Sequence, residues 1–253
     1  MLPAFLYSAS LFSLFASPAA AGNIDYSFYP PEPTKRSAPV FVFVHGGAWI
    51  SGDKAQHESL ARAFAGRGFC AITLNYPLAP QAPHPAPVRA LDRALREVPA
   101  LLPTPTCDCA RIFLAGHSAG AHLIAQWNSS YRNEAVKGFV GLEGIYDLPK
   151  LAERWPAYPD WFLKKAFGGA ENWAKASPAR LSPLGKAPWL VIHSEQDELV
   201  DLQQSKLFAN WLEEKGVPAE LLVIKTGAHD EVIRRFGQAG DAATERAVKF
   251  LKP

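Results

Sequence analysis

Six short runs of Val, Ile, Leu and Phe punctuate the chain, each nearly continuous in apolar character: Val40 to Val44, Phe69 to Leu74, Arg111 to Ala115, Gly138 to Leu142, Trp189 to His193 and Glu220 to Ile224. Strands covered on both faces read this way, as in a parallel sheet. Longer amphipathic stretches separate them, at about Lys54 to Gly66, Val88 to Leu101, Ala119 to Ser129, Leu202 to Lys215 and Asp241 to Leu251. Strands that alternate with helices predict an α/β fold with a mostly parallel central sheet flanked by helices. At 253 residues, one such domain has room for a large core.

Three segments depart from the alternation. Residues 1–21 are rich in Leu, Phe, Ala and Ser, and lead to Ala19-Ala20-Ala21-Gly22 before the first charge at Asp25. They read as a secretory signal cleaved after Ala21, leaving 22–253 as the single domain. A short membrane anchor or a first element of the fold are the alternatives, against which stand Pro3, Pro18 and the shortness of the apolar core. The expected location is therefore secreted, with cytoplasmic as the fallback. The proline-rich Tyr29 to Pro33 reads as a loop or a sheet edge. Residues 148–182 carry Trp155, Tyr158, Trp161, Phe162, Phe167 and Trp173. They read as a short helical insertion after the sixth strand, either a cap or lid over a site or an aromatic patch on the sheet.

Charge excludes one class of function. The net charge is +2, with Lys and Arg scattered among Asp and Glu, so nothing suggests a nucleic-acid partner. No stable membrane insertion is expected, and oligomeric state is not legible. The three cysteines, Cys70, Cys107 and Cys109, leave one unpaired; Cys70 can bridge to either of the others. No further Cys or His completes a zinc pattern around them, so no metal or other cofactor is expected. Asn128-Ser129-Ser130 is a glycosylation sequon.

The third apolar run leads into Gly116-His117-Ser118-Ala119-Gly120 and then a helix. G-x-S-x-G between a strand and a helix is a nucleophile elbow. The turn is so sharp that only glycines at its flanks avoid collision. It presents the Ser118 hydroxyl at the carboxyl end of the sheet, where a helix dipole favours developing negative charge. A serine N-cap is the bland alternative. A serine hydroxyl needs a base, and histidine titrates near neutrality. His229 leaves the last run and Asp197 leaves the fifth, giving the order Ser, Asp, His expected of such a triad. Glu195, Glu198 and Asp201 compete for the acid's role, Asp201 looking more like an N-cap. His117 and His193 read as structural groups, and His57 and His84 as surface residues. After the first run, His45-Gly46-Gly47-Ala48-Trp49 is a loop suited to an oxyanion hole, built from the N–H groups of Gly46 or Gly47, with Ala48 a further candidate, together with that of Ala119. Trp49, Tyr76 and Tyr146 are candidates for lining a substrate pocket, with core packing at least as good an explanation.

These two motifs, with Asn75-Tyr76-Pro77-Leu78-Ala79-Pro80, resemble the hormone-sensitive-lipase-like esterases and the kynurenine formamidases of the α/β-hydrolase superfamily. Gly144-Ile145-Tyr146-Asp147-Leu148 and His193-Ser194-Glu195-Gln196-Asp197-Glu198-Leu199 resemble the fungal-type formamidases more narrowly. The resemblance implies a cofactor-free hydrolase of small esters or formamides. A binding protein that keeps the fold without the chemistry, an acyltransferase and a peptidase are the competing expectations.

Overall fold

The computed structural model describes residues 24–32 and 37–251. The expected signal segment, residues 1–21, lies outside the described residues. Seven strands form one sheet in the order β1-β3-β2-β4-β5-β6-β7: β1 (Tyr26–Tyr29), β2 (Ala38–Val44), β3 (Cys70–Leu74), β4 (Cys107–His117), β5 (Val136–Leu142), β6 (Trp189–Ser194) and β7 (Ala219–Ile224). Six are parallel to their neighbours; β1 alone runs antiparallel, against β3. The six central strands are the six apolar runs. β1 lies just before the proline-rich stretch, on the edge, where a following proline interrupts no ladder.

The helices are α1 (Glu58–Ala65), α2 (Ala86–Glu97), α3 (Ala119–Ser130), α4 (Leu148–Arg154), α5 (Lys164–Phe167), α6 (Ala170–Trp173), α7 (Leu202–Glu214), α8 (His229–Arg235) and α9 (Ala242–Leu251). They sort onto two faces because side chains alternate along each strand. Val40, Val42 and Val44 of β2 join a core with α2, α3, α7 and the insertion. Phe41 and Phe43 point the other way, into a core with α1, α8 and α9, where Phe41 stacks on Phe64 at 3.9 Å. No helix among the described residues is long and apolar enough to cross a membrane.

Several expectations need correcting. The insertion follows β5, the fifth strand rather than the sixth, because only β1 precedes the six central runs. It comprises α4, a π-helical turn at Pro159–Leu163, α5, α6 and two short 3₁₀ turns. Asn128 is 2 % exposed within α3, so its sequon is closed off in the folded chain. Gly216, just past the Lys215 cap of α7, takes the left-handed φ of 66° common after a helix end.

Cys70 and Cys107 form a disulfide across the ends of β3 and β4, leaving Cys109 free. The bridge spans a sequence separation of 37 residues. Closing a loop of that size stabilises the fold by about 4 kcal/mol in the chain-entropy view. Cys70→Ser/Cys107→Ser should therefore lower the free energy of unfolding by roughly 2–4 kcal/mol in a urea titration. An unchanged midpoint would contradict the assignment.

Candidate active site

Four consecutive parallel strands, β4 to β7, deliver polar residues at their carboxyl ends, the side where α/β sheets form sites. Ser118 follows β4 with φ 53° and ψ −118°, a conformation that L-residues avoid. The flanking glycines allow it. A Cβ on Gly116 would come within 2.5 Å of Gly120 backbone, and one on Gly120 within 2.1 Å of the Val44 carbonyl. Ser118 is thus held by the crossing of β2, β4 and α3, and its N–H donates to the Leu142 carbonyl at 2.9 Å.

His229 opens the short helix α8, directly after the loop that leaves β7. Its Nδ1–H donates to Asp197 Oδ2 at 2.7 Å, which leaves Nε2 as the acceptor nitrogen. Asp197 is held from its other oxygen, Oδ1, by the N–H groups of Leu199 and Val200 at 2.9 and 2.8 Å. Burial opposes its ionisation. The hydrogen bonds from His193 and His229 and the His229 charge outweigh that, and hold the carboxyl below the usual carboxylate range. Its rivals have other partners. Glu195 pairs with Lys225 at 2.7 Å, Glu198 accepts the His229 backbone N–H at 3.1 Å, and Asp201 caps α7 through the Gln203 N–H. His193 is structural, bonded to Ser205 and to the Val200 carbonyl.

Ser118 and His229 line one cavity of about 690 Å³. The Ser118 hydroxyl makes no hydrogen bond to another described residue. Gly46 and Gly47 line the same cavity, in a loop where Gly47, Ala48 and Trp49 take φ values of 107°, 52° and 61°. Successive backbone N–H groups in such a turn can form a concavity for an anion. His45 braces this loop: Nδ1–H donates to the Gly46 carbonyl at 2.7 Å and the ring stacks on Tyr76. Ala119 begins α3 directly after Ser118.

Trp49, Tyr76 and Tyr146 are core residues, not cavity walls. Trp49 packs edge-on against Phe167 and His122, the Tyr76 hydroxyl donates to the His45 carbonyl, and Tyr146 stacks on Phe208 at 4.0 Å. The cavity's apolar wall is instead Ile145, Leu199 and, from the insertion, Tyr158, Trp161 and Phe162. His122 ties the insertion down, donating from Nε2 to the Ala176 carbonyl at 2.7 Å; burial lowers its pKa to about 3. His57 also lines the cavity, and His84 packs on Phe167, so neither is the surface residue expected.

One site residue escaped the sequence reading. Glu143 follows β5 with φ 48°, is fully buried, and neither carboxyl oxygen finds a hydrogen-bond partner among the described residues. Its Oε2 lies 3.5 Å from His117 Nε2 and 3.6 Å from His229 Nδ1. Burial, reinforced by the Asp197 charge against a weaker pull from the Ser194 amide, pushes its pKa up to about 10. Burial and the neighbouring His229 keep His117 neutral, well below the ordinary histidine value. His117, Glu143 and His229 each offer a possible ligand atom within 4.8 Å of the others, but the His229 Nδ1 that faces Glu143 is the nitrogen bonded to Asp197. Between the ordinary carboxylate range and about pH 10, the folded chain holds a proton on Glu143 that the unfolded chain has lost. Stability must therefore fall as pH rises through that window. Glu143→Gln should remove the slope, so its unfolding free energy should gain on wild type between about pH 6 and pH 9. Parallel pH–stability curves would refute this.

The BD-FAE family model matches residues 26–212. The chain belongs to the BD-FAE family. This BD-FAE chain is 30% identical over 212 residues to a kynurenine formamidase of Meyerozyma guilliermondii, covering 76% of this chain and 78% of that protein. It is also 30% identical over 263 residues to the isoprenylcysteine alpha-carbonyl methylesterase ICME of Arabidopsis thaliana, covering 92% of this chain but only 61% of that one. Among solved structures, a hyperthermophilic esterase from the archaeon Pyrobaculum calidifontis superposes with a TM-score of 0.76 at 25% identity, covering 90% of this chain and 81% of that one. The BD-FAE chain therefore has the α/β-hydrolase fold expected of it.

Proposed function

We propose that this chain is a serine hydrolase that cleaves a carboxylic ester or an activated amide through an acyl-enzyme on Ser118. The observation that carries the reading is the 2.7 Å bond between Asp197 and His229 Nδ1, on an imidazole that shares its cavity with the strained Ser118. His229 Nε2 takes the Ser118 proton as Oγ attacks the carbonyl carbon, then gives it to the leaving group. Asp197 fixes the tautomer and stabilises the imidazolium. Water then enters by the same route and releases the acid. The Oγ–Nε2 hydrogen bond forms on substrate binding, since catalytic hydrogen bonds are often long or poorly aligned in a free enzyme. The N–H groups of Gly46, Gly47 and Ala119 receive the oxyanion, and losing such a donor typically costs about 10²–10³ in rate. The families of the formamidase, methylesterase and esterase relatives support this class of reaction.

The aromatic wall of Tyr158, Trp161 and Phe162 favours a substrate with an apolar or aryl group. Trp161 is 51% exposed and free to meet such a group. Trp161→Ala should raise KM for an aryl ester by about 2–10-fold, the worth of an aromatic contact, and leave KM for ethyl acetate unchanged. Equal effects on both esters would count against an aryl subsite. A burst of p-nitrophenol on mixing enzyme with p-nitrophenyl acetate tests the acyl-enzyme. Comparing kcat/KM for N-formylkynurenine with that ester separates formamidase from general esterase. Export of the chain belongs to the same proposal, supported by the Cys70–Cys107 bridge, since disulfides persist in oxidising compartments.

A further inference from the structure

The acid of the proposed triad has a neighbour that the mechanism above does not use. Glu143 stands at the end of β5, between the strand ends that carry Ser118 and Asp197. A fully buried carboxyl without a hydrogen-bond partner costs stability, as does a glutamate with φ 48°. Both costs are borne at one spot, where Oε2 faces His229 Nδ1 at 3.6 Å beside Asp197 at 2.7 Å. Two carboxyl groups thus converge on one imidazole nitrogen.

We propose that Glu143 is a second acid for His229, a positioning residue that confines the Nδ1–H and takes over its hydrogen bond when Asp197 is lost. The inference rests on His229 being the base. With Asp197 present, Glu143 keeps its proton and offers only a carbonyl dipole to the imidazolium, so the two acids do not repel. Removing Asp197 removes a charge that holds the proton on Glu143. Glu143 can then ionise, its proton passing to solvent, and accept the Nδ1–H as a carboxylate. The titratable groups around it are His117 from β4, His229 and Asp230 from α8, and Asp197 and Glu198 from the loop after β6. Asp197 and Glu143 are the acids that face Nδ1, at 2.7 and 3.6 Å, whereas Glu198 binds the His229 backbone N–H.

The test is kinetics on wild type, Asp197→Ala, Glu143→Gln and the double variant, with p-nitrophenyl acetate and a thermal melt of each. Losing the sole acid of a triad costs about 10⁴-fold in kcat. Asp197→Ala is expected to lose only about 10²-fold, and the double variant about 10⁴-fold. Glu143→Gln should therefore cost far more without Asp197 than with it. The residual activity of Asp197→Ala should rise with pH as Glu143 ionises, a limb that the double variant lacks. Glu143→Leu serves as a second replacement should Gln not fold. If Glu143→Gln lowers kcat by the same factor in both backgrounds, or deepens no loss, the proposal is overturned. His229→Ala run alongside keeps the two readings apart: full activity there would remove the base itself, whatever Glu143 does.

Discussion

Ser118→Ala is expected to fold as the wild type does and to lose about 10⁶-fold in kcat on p-nitrophenyl acetate, with KM nearly unchanged. The reason is geometric. Alanine at the elbow keeps the strained φ of 53°, the bond from its N–H to Leu142 and the glycine crossings around it, and removes only the oxygen that bonds to the acyl group. Residual turnover would come from the oxyanion donors and from binding alone. A loss under about tenfold with an intact melting curve would show that acyl transfer runs through another group.

His229→Ala should cost nearly as much, and Ser118→Ala/His229→Ala little more than either single change, because a nucleophile and its base act as one unit. The structure adds a further reason for the size of the effect. His117, whose ring lies 4.6 Å from that of His229, is the only other imidazole against the base among the described residues. It is buried and kept neutral, and its Nε2 faces the His229 carbonyl at 3.3 Å. Its Nε2 is thereby turned to that carbonyl and to Glu143, rather than held free as a substitute base. Losses that multiply in the double variant would mean that the two residues act independently.

Much of the fold is legible in the sequence. The alternation of apolar runs with amphipathic stretches locates the six parallel strands, because strands buried on both faces leave no room for polar residues. Ser118, Asp197 and His229 each leave the carboxyl end of a strand, which is enough to bring them to one side of the sheet. What failed has a common cause: a side chain's face cannot be read from its neighbours in sequence. Trp49 follows the glycine loop yet turns into the core through three left-handed residues, while Trp161, less conspicuous within the insertion, faces the cavity. Asn128 matched a surface motif but sits on the inward face of α3. His57 reads as a surface residue, and only the fold brings it to the cavity that Ser118 lines. Glu143 did carry a signal. It is a lone charge closing the apolar run Phe139-Val140-Gly141-Leu142, at the end of a parallel strand, where burial without function is costly.

The central claim is that Ser118 is a nucleophile activated by His229, and covalent labelling with a fluorophosphonate probe tests it most directly. The account predicts one adduct per folded chain, mapped to Ser118, absent in Ser118→Ala and formed far more slowly in His229→Ala. A folded chain that takes no label, or one labelled elsewhere with Ser118 untouched, would contradict it.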